Sequence, residues 1–154
     1  MSFEIRPADT GMLTEIAALE TECFSTPWSE KSFAAELDNT DSIFLTALRG
    51  AKLLGFVIVR KFSGEAEILN IAVRKAERGL EIGSKLLRCA IEAAERDDVK
   101  TIFLEVRESN VPAITLYAKN GFTVIGRRKK YYEAPAEDAI LMSRAKLKVE
   151  TGDK

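Results

Sequence analysis

An apolar run holding a single acid, Ile102-Phe103-Leu104-Glu105-Val106, passes through Arg107-Glu108-Ser109-Asn110 into Ala113-Ile114-x-x-Tyr117-x-x-x-Gly121-Phe122. The run reads as a strand, and the residues after Asn110 read as a helix that follows within a few positions. Ser109 and Asn110 are good N-cap residues, and Pro112 suits the first helical turn, where a missing N–H does no harm. Gly121 then stops the helix as a C′ residue. A carboxylate inside an apolar strand costs free energy unless it is paired or wetted, so Glu105 requires a reason.

The rest of the chain falls into similar pieces. Phe3 to Arg6 alternates as a short strand ended by Pro7, and Thr10 is the expected N-cap of a helix running to about Cys23. Phe24 to Ser29 contains Pro27 and reads as a loop, after which Ser29 caps a second helix through Phe33, Ala34 and Leu37. Three strand-like runs follow, Ile43 to Leu48, Leu53 to Phe62 and Ala66 to Val73, joined by hairpin-like turns at Arg49-Gly50 and Ser63-Gly64. Ile82, Leu86, Leu87, Ala90, Ile91 and Ala94 mark one face of a long helix from Ile82 to Arg96. Strand Thr101 to Val106, helix Pro112 to Asn120, and strands Phe122 to Tyr132 and Asp138 to Leu147 complete the order β-αα-βββ-α-β-α-ββ. That order is α/β with a mixed, mostly antiparallel sheet.

Composition narrows the chemistry. The 154 residues, 46% apolar and 31% charged, suit one globular domain over 1–148 with 149–154 as a frayed end. A net charge of −1 argues against a nucleic-acid partner held by a basic surface, and the run Arg127-Arg128-Lys129-Lys130 reads as a solvated strand end. No apolar stretch is long enough for a membrane partner and no leader is evident, so a cytoplasmic location with reduced thiols is expected. Cys23 and Cys89 are too few for a zinc site and read as small core residues, and no metal is expected. The chain has no histidine, which removes Ser-His-Asp, Cys-His and His-metal chemistry together. Proton transfer must use Glu, Asp, Tyr, Lys, Cys or water.

Between strand Ile68 to Val73 and the long helix lies Arg78-Gly79-Leu80-Glu81-Ile82-Gly83-Ser84. A glycine-containing loop feeding a helix N-terminus suits a phosphate, whose charge the free N–H groups and macrodipole favour. On spacing alone, a plain connection that uses glycine to turn is the better fit.

These motifs together resemble the GCN5-related N-acetyltransferases, and among them the ribosomal-protein-alanine N-acetyltransferases of the RimI type. The resemblance runs from Arg6-Pro7-Ala8 to Ile140-Leu141-Met142. It implies that acetyl-CoA is the cosubstrate, with its pyrophosphate on Arg78 and the backbone of Gly79, Leu80, Glu81, Ile82, Gly83 and Ser84. It implies further that Ile71, Ala72 and Val73 pair with the pantetheine arm like an added strand, aided by Asn110. Glu105 becomes the general base, through a water, and Tyr117 the acid at the departing thiolate. Trp28, Tyr131, Tyr132, Glu137 and Asp138 match the acceptor side, and the acceptor is a protein N-terminus, the N-terminal alanine of ribosomal protein S18. The residues alone also fit a solvated edge strand at Glu105, core packing at Tyr117 and a helix-hairpin anchor at Trp28. Two other functions share the pattern: acetylation of a small amine, or acyl-CoA binding without turnover.

Glu81 departs from the motif, standing where it takes its first glycine. Helical φ/ψ would permit a Glu there, and at ~7 Å with water-like screening its repulsion from two phosphate charges is only ~1 kcal/mol. The acceptor also has a chemical preference. Freeing an α-amine of pKa near 8 at pH 7 costs about 1.4 kcal/mol, against about 4.6 kcal/mol for a lysine ε-amine.

Overall fold

The computed structural model describes residues 2–79 and 81–146. The expected contact at Leu80, the strand end at Leu147 and the tail 149–154 lie outside them. Seven strands form one sheet among the described residues: β1 (Glu4–Pro7), β2 (Ser42–Arg49), β3 (Lys52–Phe62), β4 (Glu65–Val73), β5 (Thr101–Arg107), β6 (Thr123–Tyr132) and β7 (Glu137–Ala145). Their spatial order is β1-β2-β3-β4-β5-β7-β6, and only β4 and β5 run parallel. The helices are α1 (Leu13–Cys23), α2 (Glu30–Leu37), α3 (Ile82–Arg96) and α4 (Val111–Lys119). This is the expected mixed, mostly antiparallel α/β arrangement.

Local chemistry explains most boundaries. The β3–β4 turn uses Ser63 and Gly64 at φ 47° and 82°, the pair of positive values that a tight hairpin needs. Ser29 Oγ accepts from Ser32 N at 3.1 Å and so caps α2. At the first helix the expected Thr10 cap is corrected. Asp9 accepts from Gly11 N at 2.9 Å and caps a short 3-10 turn over Thr10–Met12, from which α1 continues. Pro7 is the last residue of β1, tolerated there because β1 is an edge strand.

Helices cover both faces. On one, Ile82, Leu86, Leu87 and Ala90 of α3 meet Leu54, Val57, Ile102 and Leu104 of the sheet. On the other, Ile16 and Leu19 of α1 and Phe33 of α2 meet Phe44, Phe56 and Ile58. Phe33 is fully buried, with its ring edge-on to Phe56 at 5.5 Å and tilted against Trp28 at 5.3 Å. We expect Phe33→Ala to cost about 3–5 kcal/mol, as large-to-small core changes do, measured by denaturant unfolding.

Candidate active site

β4 and β5 pair for three residues, Glu65↔Thr101, Ala66↔Ile102 and Glu67↔Phe103, and then part. A bulge lies at the parting: Ile58 faces Asn70 while Val59 faces Ile68, leaving Leu69 extra. Bulges bend and over-twist a strand, here carrying Asn70–Val73 away from β5. The edge this frees holds main-chain N–H and C=O groups that call for partners. A groove of about 650 Å³ opens beside it, between the end of β4, the start of α3 and the first turns of α4.

Ile71, Val73, Arg78, Gly79, Glu81, Ile82, Gly83, Ser84 and Asn110 line this groove, as the motifs imply. Ala72 is buried in the α1 side of the core and offers only its backbone. Phe24, Thr115, Leu116 and Lys119 also line it, without having been singled out from the sequence. At Gly83 a Cβ would meet Leu116 Cδ2 at 3.4 Å and Val73 Cγ2 at 3.6 Å, ordinary van der Waals contacts, so the packing here does not itself require glycine. Asn110 Oδ1 caps α4 by accepting from Ala113 N at 3.2 Å, leaving the amide nitrogen to donate elsewhere. Arg78 folds back on the strand, donating from Nε to Val73 O at 3.2 Å, with Nη2 at 3.4 Å from Cys23 Sγ. Cys23 is therefore a groove residue and not simply a core one, its thiol pushed up in pKa mainly by burial.

Glu81 does not have the helical conformation that would excuse it. It precedes α3 at φ 64°, ψ 14°, in the left-handed region, and makes no capping hydrogen bond. A side chain there costs roughly 1–2 kcal/mol, which gives the motif's glycine a conformational cause. The first N–H groups of α3 still lack intrahelical partners and face an anion well.

The second cluster surrounds Glu105. β5 lies between β4 and β7 in the sheet, but β4 has already parted at Glu105, so only Leu141 of β7 pairs with it there; the side chain is half-buried and not on a fully solvated face. Its Oε2 is buried without a hydrogen-bond partner among the described residues. A bulge in β6 between Arg128 and Tyr132, with Lys130 at φ 53°, re-aims Tyr131 and Tyr132 toward it. The two rings meet edge to face at 5.1 Å. Interaction with the Glu105 carboxylate is the main cause raising the pKa of Tyr131. Burial first, and then Glu105, push Tyr132 up to about 12.

Tyr117 is only 5% exposed and is not on the groove wall. Burial, then the neighbouring Tyr132, raise its pKa far above the usual phenol range. The end of α4 fixes it. Gly121 N bonds to Ala118 O at 3.2 Å and Phe122 N to Tyr117 O at 3.1 Å, a left-handed glycine cap that sets Phe122 edge-on to the Tyr117 ring at 5.7 Å. Tyr132 thus stands close enough to both Tyr117 and Glu105 for each pair to interact electrically.

The remaining acceptor-side candidates are held within the chain. Glu137 accepts from Arg107 Nη1, Ser109 N and Ser109 Oγ, each at 3.0 Å, and the Arg107 bond foremost lowers its pKa. Asp138 accepts from Lys130 N at 2.9 Å and Arg127 Nη1 at 3.0 Å, fixing the β6 bulge. Arg107 also donates to Pro135 O at 2.8 Å and lies 4.4 Å from the centre of the Tyr132 ring. It clamps the β6–β7 loop, a role that the sequence did not advertise. Trp28 packs on Phe33, as a hairpin anchor does, and its backbone N–H donates to Glu20 Oε2 at 3.0 Å. Glu20 is itself 2% exposed, takes Asn70 Nδ2 at 2.8 Å and has its pKa raised mainly by burial. Ser25 Oγ reaches across to Ala134 O, so the α1–α2 and β6–β7 loops touch.

This pairing of a splayed-strand groove with a carboxylate on the strand left behind, and tyrosines of β6 beside it, suits acyl transfer. Residues 13–122 match the acetyltransferase (GNAT) family, and the chain belongs to that family. It is an N-acetyltransferase, and enzymes of this family take the acetyl group from acetyl-CoA. The chain is 36% identical over 127 residues to the ribosomal protein bS18-alanine N-acetyltransferase of Escherichia coli, covering 81% of this chain and 85% of the relative. It is 31% identical over 155 residues to the N-alpha-acetyltransferase RimI of Mycobacterium tuberculosis, covering 94% and 96%. The crystal structure of the ribosomal-protein-S18-alanine N-acetyltransferase from Escherichia coli superposes with a TM-score of 0.88, over 98% of both chains at 31% identity.

The left-handed backbone of Glu81 bears on stability as well as on binding. Glu81→Gly relieves strain and removes charge near the phosphate site, so the variant should gain about 1 kcal/mol in thermal unfolding. Calorimetric titration should show severalfold tighter acetyl-CoA binding, by an amount that shrinks as salt is added. Equal melting temperatures would mean that the strain at Glu81 is offset elsewhere in the loop.

Proposed function

We propose that this enzyme acetylates the α-amine of a protein N-terminus, with the N-terminal alanine of ribosomal protein S18 as its acceptor. The names of the relatives support the acceptor, and an acceptor of that kind is met in the cytoplasm. The single observation that carries the chemistry is Glu105, whose Oε2 is buried and unpartnered on the strand that β4 leaves behind. An acceptor oxygen in that state is satisfied by an incoming N–H or by a water that relays its proton.

In this reading the freed edge of Ile71–Val73 takes the amides of pantetheine, and the loop from Gly79 to Ser84 takes the pyrophosphate. The amine loses its proton through water to Glu105 as its C–N bond forms and the C–S bond breaks. Tyr117, held protonated by burial, donates to the departing sulfur. A thiol near pKa 8.5 lies more than a unit below any raised phenol, so full proton transfer is uphill by upwards of about 2 kcal/mol. Tyr117 therefore acts first as a hydrogen-bond donor to the charge developing on sulfur. Tyr131 and Tyr132 wall the acceptor, and Glu137 and Asp138 keep that wall in place through Arg107 and Lys130. A weak carboxylate base suits an α-amine better than a lysine, by the difference of about 3 kcal/mol in freeing the two.

Glu105→Gln should lower kcat at pH 7 by ~10²-fold or more while leaving acetyl-CoA affinity little changed. Near-normal turnover in that variant removes Glu105 from the mechanism. For the acceptor, a peptide beginning Ala-Arg should be acetylated on its α-amine far faster than an N-blocked peptide carrying lysine. Mass spectrometry of the two products decides this, and faster lysine modification contradicts the N-terminal reading.

A further inference from the structure

Glu67 is a half-buried carboxylate on β4 that no ion pair or side-chain hydrogen bond reaches among the described residues. Its cross-strand neighbour is Arg60, but that guanidinium is committed to Glu36, with Nε 3.3 Å from Oε2 and Nη2 against Oε1. Glu36 is buried, so the Arg60 guanidinium, itself partly exposed, is held at α2 by that pair and turned from Glu67. Glu67 is the last β4 residue still paired with β5, opposite Phe103, and Glu105 follows two positions further along β5. Ala66, Ile68, Leu104 and Val106 fill the core under α3, so Glu67 and Glu105 share the opposite face. One strand spacing and two residues of rise put their Cα atoms about 8 Å apart. The two carboxylates feel each other: burial, then Glu105, raise the pKa of Glu67 against the weaker pull of Arg60 and Arg128. Independently, Glu105 Oε2 is buried without a hydrogen-bond partner among the described residues, leaving one acceptor site on the carboxylate open to an incoming donor.

We propose that Glu67 selects acceptors by binding a basic side chain, arginine or lysine, at the second position of the peptide whose α-amine lies at Glu105. This rests on the N-terminal acetylation proposed above. The α-amine must be uncharged when it attacks and must sit where β4 and β5 part, so it cannot also occupy Glu67. Each extended residue advances the chain by about 3.3–3.6 Å, which brings the next side chain alongside the paired end of β4. A flexible cationic side chain there meets a desolvated, unpaired carboxylate, a charge-assisted contact of the stronger kind. Tyr131, 45% exposed and stacked near Arg128 at 5.3 Å, forms the outer wall of this position.

The test is kcat/KM on four peptides that differ only at the second residue, Ala-Arg, Ala-Lys, Ala-Gln and Ala-Glu, for wild type, Glu67→Gln and Glu67→Lys. Wild type should favour arginine and lysine over glutamine by about tenfold or more, chiefly through KM, as a close charge pair across an interface does. Glu67→Gln should bring that ratio to within about twofold, and Glu67→Lys should move the preference to Ala-Glu. The ratio within one variant is independent of how much active protein it yields. A preference for arginine that stays the same in Glu67→Gln overturns the proposal, as does a wild type that does not discriminate. Turnover without such discrimination leaves the α-amine reading standing, whereas failure to acetylate any of the four overturns both.

Discussion

The molecule depends on the parting of two strands that begin as neighbours. Parallel strands need a crossover, and α3 supplies it between β4 and β5, so the N-terminus of α3 must lie at the C-terminal end of β4. The bulge at Leu69 then separates the strands after three pairs and leaves a main-chain edge open in the middle of the sheet. Such an edge is costly in a closed core and useful in a groove, where a ligand's amides can take the place of the missing strand. Because α4 starts immediately after β5, its N-terminus at Asn110 faces the same gap. Two helix N-termini and one strand edge therefore converge without any of them being specialised in composition.

The opposite side of the gap is built by distortion and ion pairing. The β6 bulge swings Tyr131 and Tyr132 over Glu105, and Asp138 fixes the bulge through the Lys130 N–H. Arg107 holds the β6–β7 loop through carbonyls of that loop and through Glu137. The acids of this hairpin act through geometry, since both are occupied within the chain. Glu20 does the equivalent on the other lip, joining Trp28 of the α1–α2 loop to Asn70 beside the β4 bulge. Glu105 and Glu67 differ from all of these in keeping unmatched acceptor capacity.

Much of this was legible in the chain. Periodicity and turn residues mark the four α-helices and seven strands of the described residues, although β3 is buried on both faces and β6 has no buried face, and the 3-10 turn at Lys75–Glu77 has no such signal. The caps at Ser29 and Asn110 and the stop at Gly121 were readable because each is a local hydrogen-bond arrangement with a fixed residue preference. The glycine-containing loop before α3 stands out in the sequence by its motif, but the left-handed backbone of Glu81 does not, since only a glycine announces it. Thr10 was taken for a cap because Thr and Asp cap alike, and the 3-10 turn that decides between them has no separate signature. Glu67 and Arg107 escaped notice because their meaning lies in who stands beside them, across strands distant in sequence.

The place of β7 has a consequence for how the site comes into being. It is the last strand of the described chain, yet it lies inside the sheet, between β5 and β6, and Leu141 on it is the partner of Glu105. Chains emerge from the ribosome N-terminus first, so β1 to β5 can assemble while β5 still has one side bare. Glu105 acquires its surroundings only when residues near Ala145 have been made and threaded between two strands already present. A chain ending before that point lacks the strand that pairs with Glu105, while the residues that line the groove beside β4 all precede it. The two sides of the gap are thus dated to different moments in the synthesis of one molecule.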